Sequence, residues 1–499
     1  MGLLQNYKFV VMAFLASVLL LVALTLALVW KPASTVSKSP LLVYCAAGLK
    51  APLEAVAKDY EKEYGVPIQL QFGGSQTLLA NIEISKRGDL WLPADDSYLG
   101  VARQKDLIAE VLPLAQMRLV LAVKKGNPKG IKELKDLLVP GLKLAQANPD
   151  AAAAGKVARE VFQKIGRWDE LKKQTAVFTG TVNDVATNVK LGTADAGFIW
   201  DALLQQFPDV EPVALKELEG ARANMSVSVL KSSVDASAAL RFARYVAAAD
   251  KGLKQIEKSG FTPAAGDTWS ENPELNLSAG AMLRPAIEET IAAFERREGC
   301  RVTRVYNGCG ILVAQMRAGQ KPDAYFACDK SFMKQVEDLF FDPTDVSLNQ
   351  LVILVKKGNP QHINELKDLG REGLRVGVGH EKQCALGVLT KTTLQTAGLY
   401  APVRRNVAVQ SPTGDLLVNQ LRTGSLDAIV AYISNATSAK DELDAIAIDL
   451  PCALAVQPFA VGKESKSKQL AARLQKALLS ADSQKKFESN GFRWQDKAK

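Results

Sequence analysis

The chain has 499 residues, a length that suits about three domains or two large ones. Hydrophobic residues make up 47% and charged residues 23%, which excludes a disordered, collagen-like or coiled-coil protein. Lys and Arg number 62 against 53 Asp and Glu, giving +9, but these charges interleave; they favour anionic surroundings without forming the basic tracts of a nucleic-acid protein.

Phe9 to Trp30 is a run of 22 residues whose only polar side chains are Ser17 and Thr25. At about 1.5 Å per residue it crosses a hydrocarbon core of about 30 Å. It ends at Trp30-Lys31-Pro32 and not at a small-x-small cleavage site, so residues 9–30 read as an uncleaved transmembrane anchor, with a cleaved signal peptide as the alternative. Lys8 and the amino terminus, set against Lys31, argue for residues 1–8 in the cytoplasm and the body outside. Residues 31–40, rich in Ser, Thr and Lys, form a spacer. Cys45 follows Leu41 to Tyr44, a buried strand pattern and not a lipid-attachment site.

Leu41 to Ala46 is a short apolar strand, and Leu53, Val56, Ala57, Tyr60 and Tyr64 then recur at helical spacing. Pro67 to Phe72 reads as a strand, Thr77 to Lys86 as a helix and Arg118 to Val123 as a buried strand. The pattern then repeats. Val123-Lys124-Lys125-Gly126-Asn127-Pro128 returns as Val355 to Pro360, an offset of 232, and IKELKDL from Ile131 returns as INELKDL from Ile363. Further landmarks (Pro52 and Pro285, Gly65 and Gly299, Asp89 and Asp323, Trp200 and Tyr432, Gly260 and Gly491) keep offsets of 231 to 234. Two homologous domains are therefore expected at 41–266 and 275–499, joined by a polar linker over 267–274. In the second, Ile287, Ile291 and Phe294 share a helix face, and Val302 to Tyr306 and Leu351 to Val355 read as strands. Strands alternating with helices predict an α/β fold of doubly wound parallel sheets, which bind ligands where strands lead into helices.

Two loops carry that chemistry. Phe72-Gly73-Gly74-Ser75-Gln76 joins a strand to a helix; glycines permit close backbone approach, helix N–H groups attract an anion, and Ser75 adds a hydroxyl, which equally suits a plain N-cap. Pro149 to Gly155 leads into another helix, and its Ala154-Gly155-Lys156 is a poor P-loop match. Asp95 and Asp96 resemble paired carboxylates, but Asp96 before Ser97-Tyr98-Leu99 reads better as a helix cap.

Each copy resembles a periplasmic molybdate/tungstate-binding protein with the type II solute-binding fold. The resemblance rests on Cys45 to Leu49, Phe72 to Leu78, Gly88-Asp89-Leu90, Pro93-Ala94-Asp95, Pro149 to Gly155, Thr181 to Asp184 and Gly197 to Trp200. It implies two lobes closing at a hinge, each domain holding a tetrahedral oxyanion through hydroxyls and main-chain N–H groups. The implied positions are Gly48 (usually serine in the family), Ser75, Ala154, Val182 and Trp200 (usually tyrosine) in the first domain. In the second they are Ala281, Cys309, Leu386, Gly414 and Tyr432. The resemblance also implies an ABC permease as partner and no cofactor.

With only His362 and His380 present, no imidazole-rich site is possible, and six cysteines are too few for a disulfide scaffold. Yet Cys309, Cys328 and Cys384, with His380, fall on loops expected to line the second cleft. Such a set suits a soft or borderline metal, so a thiol-dependent metal-binding or sensory protein is the alternative to an oxyanion carrier; small semi-buried thiols are the structural explanation. No nucleophile elbow, P-loop, HExxH or catalytic carboxylate pair is present, which argues against an enzyme.

Overall fold

A computed structural model describes residues 39–495. The segment 9–30, read above as a transmembrane anchor, lies outside them; among the described residues no helix is long and apolar enough to cross a membrane.

The first domain contains β1 (Leu41–Ala46), β2 (Ile68–Gly73), β3 (Leu90–Leu92), β4 (Ile108–Lys124), β5 (Leu144–Ala147), β6 (Thr175–Thr179), β7 (Ala196–Trp200), β8 (Val210–Val213), β9 (Arg222–Leu230) and β10 (Thr262–Pro263). Their order is β2-β1-β3-β9-β4-β7-β5-β6, with β8 and β10 also on β4. The second domain repeats this strand for strand: β11 (Glu274–Gly280), β12 (Arg301–Asn307), β13 (Ala324–Phe326), β14 (Thr344–Lys356), β15 (Val376–Gly379), β16 (Val407–Ser411), β17 (Ala428–Tyr432), β18 (Leu443–Ala447), β19 (Leu454–Val461) and β20 (Arg493–Trp494). Its order is β12-β11-β13-β19-β14-β17-β15-β16. Each sheet has its own apolar core.

The sheets are mixed, not wholly parallel as the alternation of strands and helices suggests. β1, β2 and β3 run parallel, as do β5, β6 and β7, but β4 and β9 lie antiparallel between them. β4 pairs with β9 as far as Arg118 and with β7 from Leu119, so one strand of 17 residues belongs to both lobes. β14 does the same, changing partner between Gln350 and Leu351.

The repeated residues hold the scaffold. Asp89 accepts the N–H of Leu42 at 2.8 Å and the Ser233 hydroxyl at 2.6 Å; Asp323 accepts from Asn276 at 2.7 Å and Ser465 at 2.6 Å. Asn127 and Asn359, in left-handed backbone conformations, each clamp a turn through two bonds to Ile131 or Ile363, at 2.7 and 3.0 Å in both copies. The helices Lys50–Tyr64 and Arg284–Glu298 end on Gly65 and Gly299, both at φ 62°, the left-handed cap that glycine adopts without strain.

The polar segment between the sheets is pinned to both. Trp269 donates to Asp250 and to the Tyr64 hydroxyl and packs its ring on Tyr245, while the Asp267 carboxylate accepts the N–H groups of Gln469 and Leu470. Arg297 of the second domain forms a bidentate pair with Glu110 of the first, at 2.7 and 2.6 Å. Glu298, 2% exposed, is gripped by Arg473 at 2.6 and 3.0 Å with Arg244 of the first domain 3.9 Å away. Removing one partner of such a pair strands a buried charge, so Glu298→Ala is expected to destabilise the second domain by about 3–5 kcal/mol. Urea unfolding followed by circular dichroism checks this; an unchanged midpoint refutes it.

Candidate functional site

The five positions expected in the first domain, Gly48, Ser75, Ala154, Val182 and Trp200, line one cavity between the lobes. Helix starts bring them together. Gly48 lies in the single 3-10 turn Ala47–Leu49, Ser75 opens the helix Ser75–Ser85, Ala154 lies in the first turn of Ala153–Lys164, and Val182 opens Val182–Leu191. The first N–H groups of a helix have no partner within it, and its dipole is positive there. Trp200 ends β7 and is 1% exposed.

Ser75, also 1% exposed, accepts the Ala94 N–H at 3.1 Å, which leaves its own proton for another acceptor. Thr181, which the sequence did not single out as a ligand position, also lines the cavity, but its hydroxyl is committed to the Asp184 carboxylate at 2.7 Å. No charged side chain lines the space. Lys156 of the poor P-loop match bonds the Ser97 hydroxyl at 2.6 Å and stands over the Tyr98 ring. Asp96 occupies the N-cap position but makes no side-chain cap; it accepts from Ser226, and Asp95 accepts the Ser97 N–H instead.

Both clefts are shut by backbone contact. The Gln76 N–H donates across the first cleft to the Ala151 carbonyl at 3.0 Å, and a Cβ on Gly74 would stand 2.4 Å from that oxygen and 2.9 Å from the Gly180 oxygen. In the second cleft the Gly310 N–H reaches the Gln383 carbonyl at 2.9 Å, and a Cβ on Gly308 would meet that oxygen at 2.5 Å and that of Pro412 at 2.6 Å.

The second cavity is lined by Ala281, Leu386, Gly414 and Tyr432 of the expected set, together with Cys328 and Cys384. Strand register corrects one correspondence. Ala46 pairs with Gly73 as Gly280 pairs with Asn307, so the counterpart of Gly48 is Met282, and Ala281 stands opposite Ala47. Cys309 is corrected too: it is absent from the lining, lies fully buried below it, and accepts the Cys328 N–H at 3.1 Å, as Ser75 accepts that of Ala94. The Tyr432 hydroxyl is buried without a hydrogen-bond partner, and burial drives its pKa well above the ordinary phenol value.

The metal centre expected from Cys309, Cys328, Cys384 and His380 is not assembled. Among the described residues no group of three or more His, Cys, Asp or Glu is placed to hold a metal ion. His380 uses Nδ1 to accept the Lys382 N–H, and Cys384 turns its thiol to the Ser411 carbonyl at 3.5 Å. Burial pushes the Cys384 thiol up to about 11, away from the thiolate a metal needs.

Paired lobes on a shared hinge strand, shut over a neutral cavity at helix starts, define a solute-binding protein. The chain belongs to the bacterial extracellular solute-binding protein family, whose model matches residues 41–262 and again 275–493, a tandem duplication. Among its relatives, the molybdate-binding protein ModA of Mycobacterium tuberculosis is 26% identical over 226 residues, 44% of this chain and 84% of that protein. ModA of Escherichia coli is 31% identical over 143 residues, 27% of this chain and 56% of that protein. The solved periplasmic molybdate-binding protein of Azotobacter vinelandii is 21% identical with a TM-score of 0.40, covering 45% of this chain and all of that one.

Because a methyl group on Gly74 collides with the Ala151 oxygen, Gly74→Ala is expected to part the lobes of the first domain. Hydrogen exchange at Gln76 should then accelerate; unchanged protection would show that closure does not depend on this approach.

Proposed function

We propose that the protein is a membrane-anchored, extracytoplasmic solute-binding protein that captures a tetrahedral oxyanion, molybdate or tungstate, and delivers it to an ABC permease. Solute-binding domains at 41–266 and 275–499 follow an anchor at 9–30. The carrying observation is the first cavity: helix starts and the buried Ser75 hydroxyl converge on a space without any charged side chain. Oriented neutral dipoles hold a dianion there without a counter-charge.

Size supports an inorganic guest. The closed cavities have volumes of about 10 and 20 Å³, whereas organic ligand sites occupy roughly 300–1,000 Å³. The molybdate-binding relatives support the same class. The clefts are unequal: the first offers the Ser75 hydroxyl, whereas the second has buried its counterpart, Cys309, and offers the Tyr432 hydroxyl. The second lining also carries the thiols of Cys328 and Cys384, weak donors, so the first site is the stronger.

Calorimetric titration of the full chain with molybdate, tungstate, sulfate and phosphate tests the reading. One tight site for molybdate or tungstate is expected, and no heat with any of the four overturns it. Ser75→Ala should weaken it about tenfold or more, since a hydrogen bond to a charged group contributes about 1.5–3 kcal/mol. Gly48→Ser should strengthen it: a Cβ there lies 3.5 Å from Trp200 Cδ1 and Val182 Cγ1, ordinary contact, and adds a hydroxyl donor. With no titratable lining group in the first cavity that changes charge near neutrality, tungstate affinity should stay flat from about pH 6.5 to 8.5.

A further inference from the structure

Three substitutions separate the floor of the second cleft from that of the first, and they fit one another. Cys309 stands in the place of Ser75, Cys328 in that of Ala94 and Gly280 in that of Ala46. A Cβ on Gly280 would lie 2.1 Å from Cys328 Sγ and 3.2 Å from Cys309 Sγ. The loss of one methyl group at position 280 is thus what admits the Cys328 sulfur. The Cys328 N–H donates to Cys309 Sγ at 3.1 Å, which sets the two thiols side by side. One cysteine in a core is a small hydrophobe. Two set side by side, with a glycine opened to receive them, form a vicinal dithiol in a family that works outside the cytoplasm, where disulfides persist.

We propose that Cys309 and Cys328 are a dithiol–disulfide site at the floor of the second cleft, oxidised by exchange with a disulfide compound. Cys328 lines the cavity and meets the oxidant R–S–S–R when the lobes part, because the shut cavity of about 20 Å³ does not admit it. Its sulfur attacks one oxidant sulfur as it gives up its proton, a slow step because the adjoining Cys309 and burial raise the Cys328 pKa; the S–S bond breaks, and the departing RS⁻ takes up that proton as RSH. The Cys309 thiolate then attacks Cys328 Sγ in the mixed disulfide and expels the second RS⁻, which takes up the Cys309 proton as RSH. Two thiols are oxidised and one disulfide is reduced to two thiols, a balanced transfer of two electrons and two protons.

Cys309 suits the second displacement. Burial raises its pKa, but the Cys328 N–H bonded to its sulfur and the neighbouring Cys328 and Tyr325 side chains outweigh burial and hold it below the usual thiol range. Cys384 faces the same cavity from the other lobe and is occupied with the Ser411 and His380 carbonyls. Oxidation ties the start of the helix Cys309–Arg317, after β12, to the loop after β13 and draws the Cys328 sulfur out of the cavity wall.

The test equilibrates the full chain, in detergent, with reduced and oxidised glutathione over a range of ratios. Acid quenching, denaturation and alkylation of the remaining thiols precede peptide mapping. A single cross-linked peptide pair joining Cys309 to Cys328 is expected, restored to two free thiols by dithiothreitol, with the other four cysteines alkylated throughout. Cys328→Ala and Cys309→Ser should each abolish it. Cys309→Ser keeps the fold, because the first domain already places a serine oxygen as acceptor at this position. Six free thiols at the most oxidising ratio, or a cross-link between any other pair, overturns the proposal.

Discussion

Each cleft is governed by the strand that both lobes share. β4 runs unbroken from one lobe into the other, changing partner from β9 to β7 between Arg118 and Leu119. At that crossing the Arg118 main-chain N–H and Nε both bond the Asp201 carboxylate at 3.0 Å, tying the outgoing strand to the start of the return path after β7. Two crossings joined at one point let the lobes rotate while preventing their separation, the hinge geometry of binding-protein closure. The second domain makes the same junction with neutral groups: Asn349 donates to the Ser434 hydroxyl, and Gln350 to the carbonyls of Ile448 and Ala453. Since the hinge fixes how the lobes meet, residues at the meeting line are constrained to be nearly all backbone. Gly74 and Gly308 satisfy that constraint, each facing two carbonyl oxygens of the opposite lobe.

Closure against backbone also determines how charge is handled. A buried side-chain cation would have to be desolvated in the empty protein, at a cost of several kcal/mol. Helix starts and hydroxyls need no such desolvation of a full charge, because their dipoles are fixed by the fold whether or not a ligand is present. Arginines are instead paired away from the clefts, as in the Arg297–Glu110 pair and the Arg473–Glu298 pair that join and brace the domains. Lys156, four residues beyond the cavity-lining Ala152, is likewise turned outward onto Ser97.

Much of this was legible in the sequence because local patterns and global fold agree. β1 spans the predicted Leu41–Ala46, and Leu53, Val56, Ala57 and Tyr60 are buried on the predicted face of Lys50–Tyr64. The strongest repeat, Lys-Lys-Gly-Asn-Pro, proves to be a structural clamp around Asn127 and Asn359 and touches neither cavity. What escaped was non-local. β9, whose sequence begins Arg222-Ala223-Asn224, lacks an apolar run because its start is alternately exposed, and its partners lie about a hundred residues earlier. The full length of β4 was hidden by Pro113, with Glu110 and Gln116 three residues to either side, where the ladder with β9 shifts register. Asp96 looked like a cap because Ser97 follows it, yet the Ser226 hydroxyl on β9 claims its carboxylate.

Cys309 shows most clearly what a sequence alignment of the two halves conceals. Aligned by motif it replaces a ligand-facing serine, and on that basis it belongs among the cavity residues. Whether a side chain at this position faces the cavity depends on what stands across from it: Ser75 meets the Ala94 backbone beside a methyl-bearing Ala46, whereas Cys309 meets a second sulfur in the room left by Gly280. The acceptor role toward the facing N–H is kept at 3.1 Å in both halves while the donor role toward the cavity differs. A duplicated scaffold can therefore keep every backbone hydrogen bond that shapes the cleft and still change the chemistry of its floor, provided that the change in side-chain volume at one position is taken up at another. Gly280 and Cys328 make that exchange, and it is why the two halves share a topology strand for strand without sharing a binding surface.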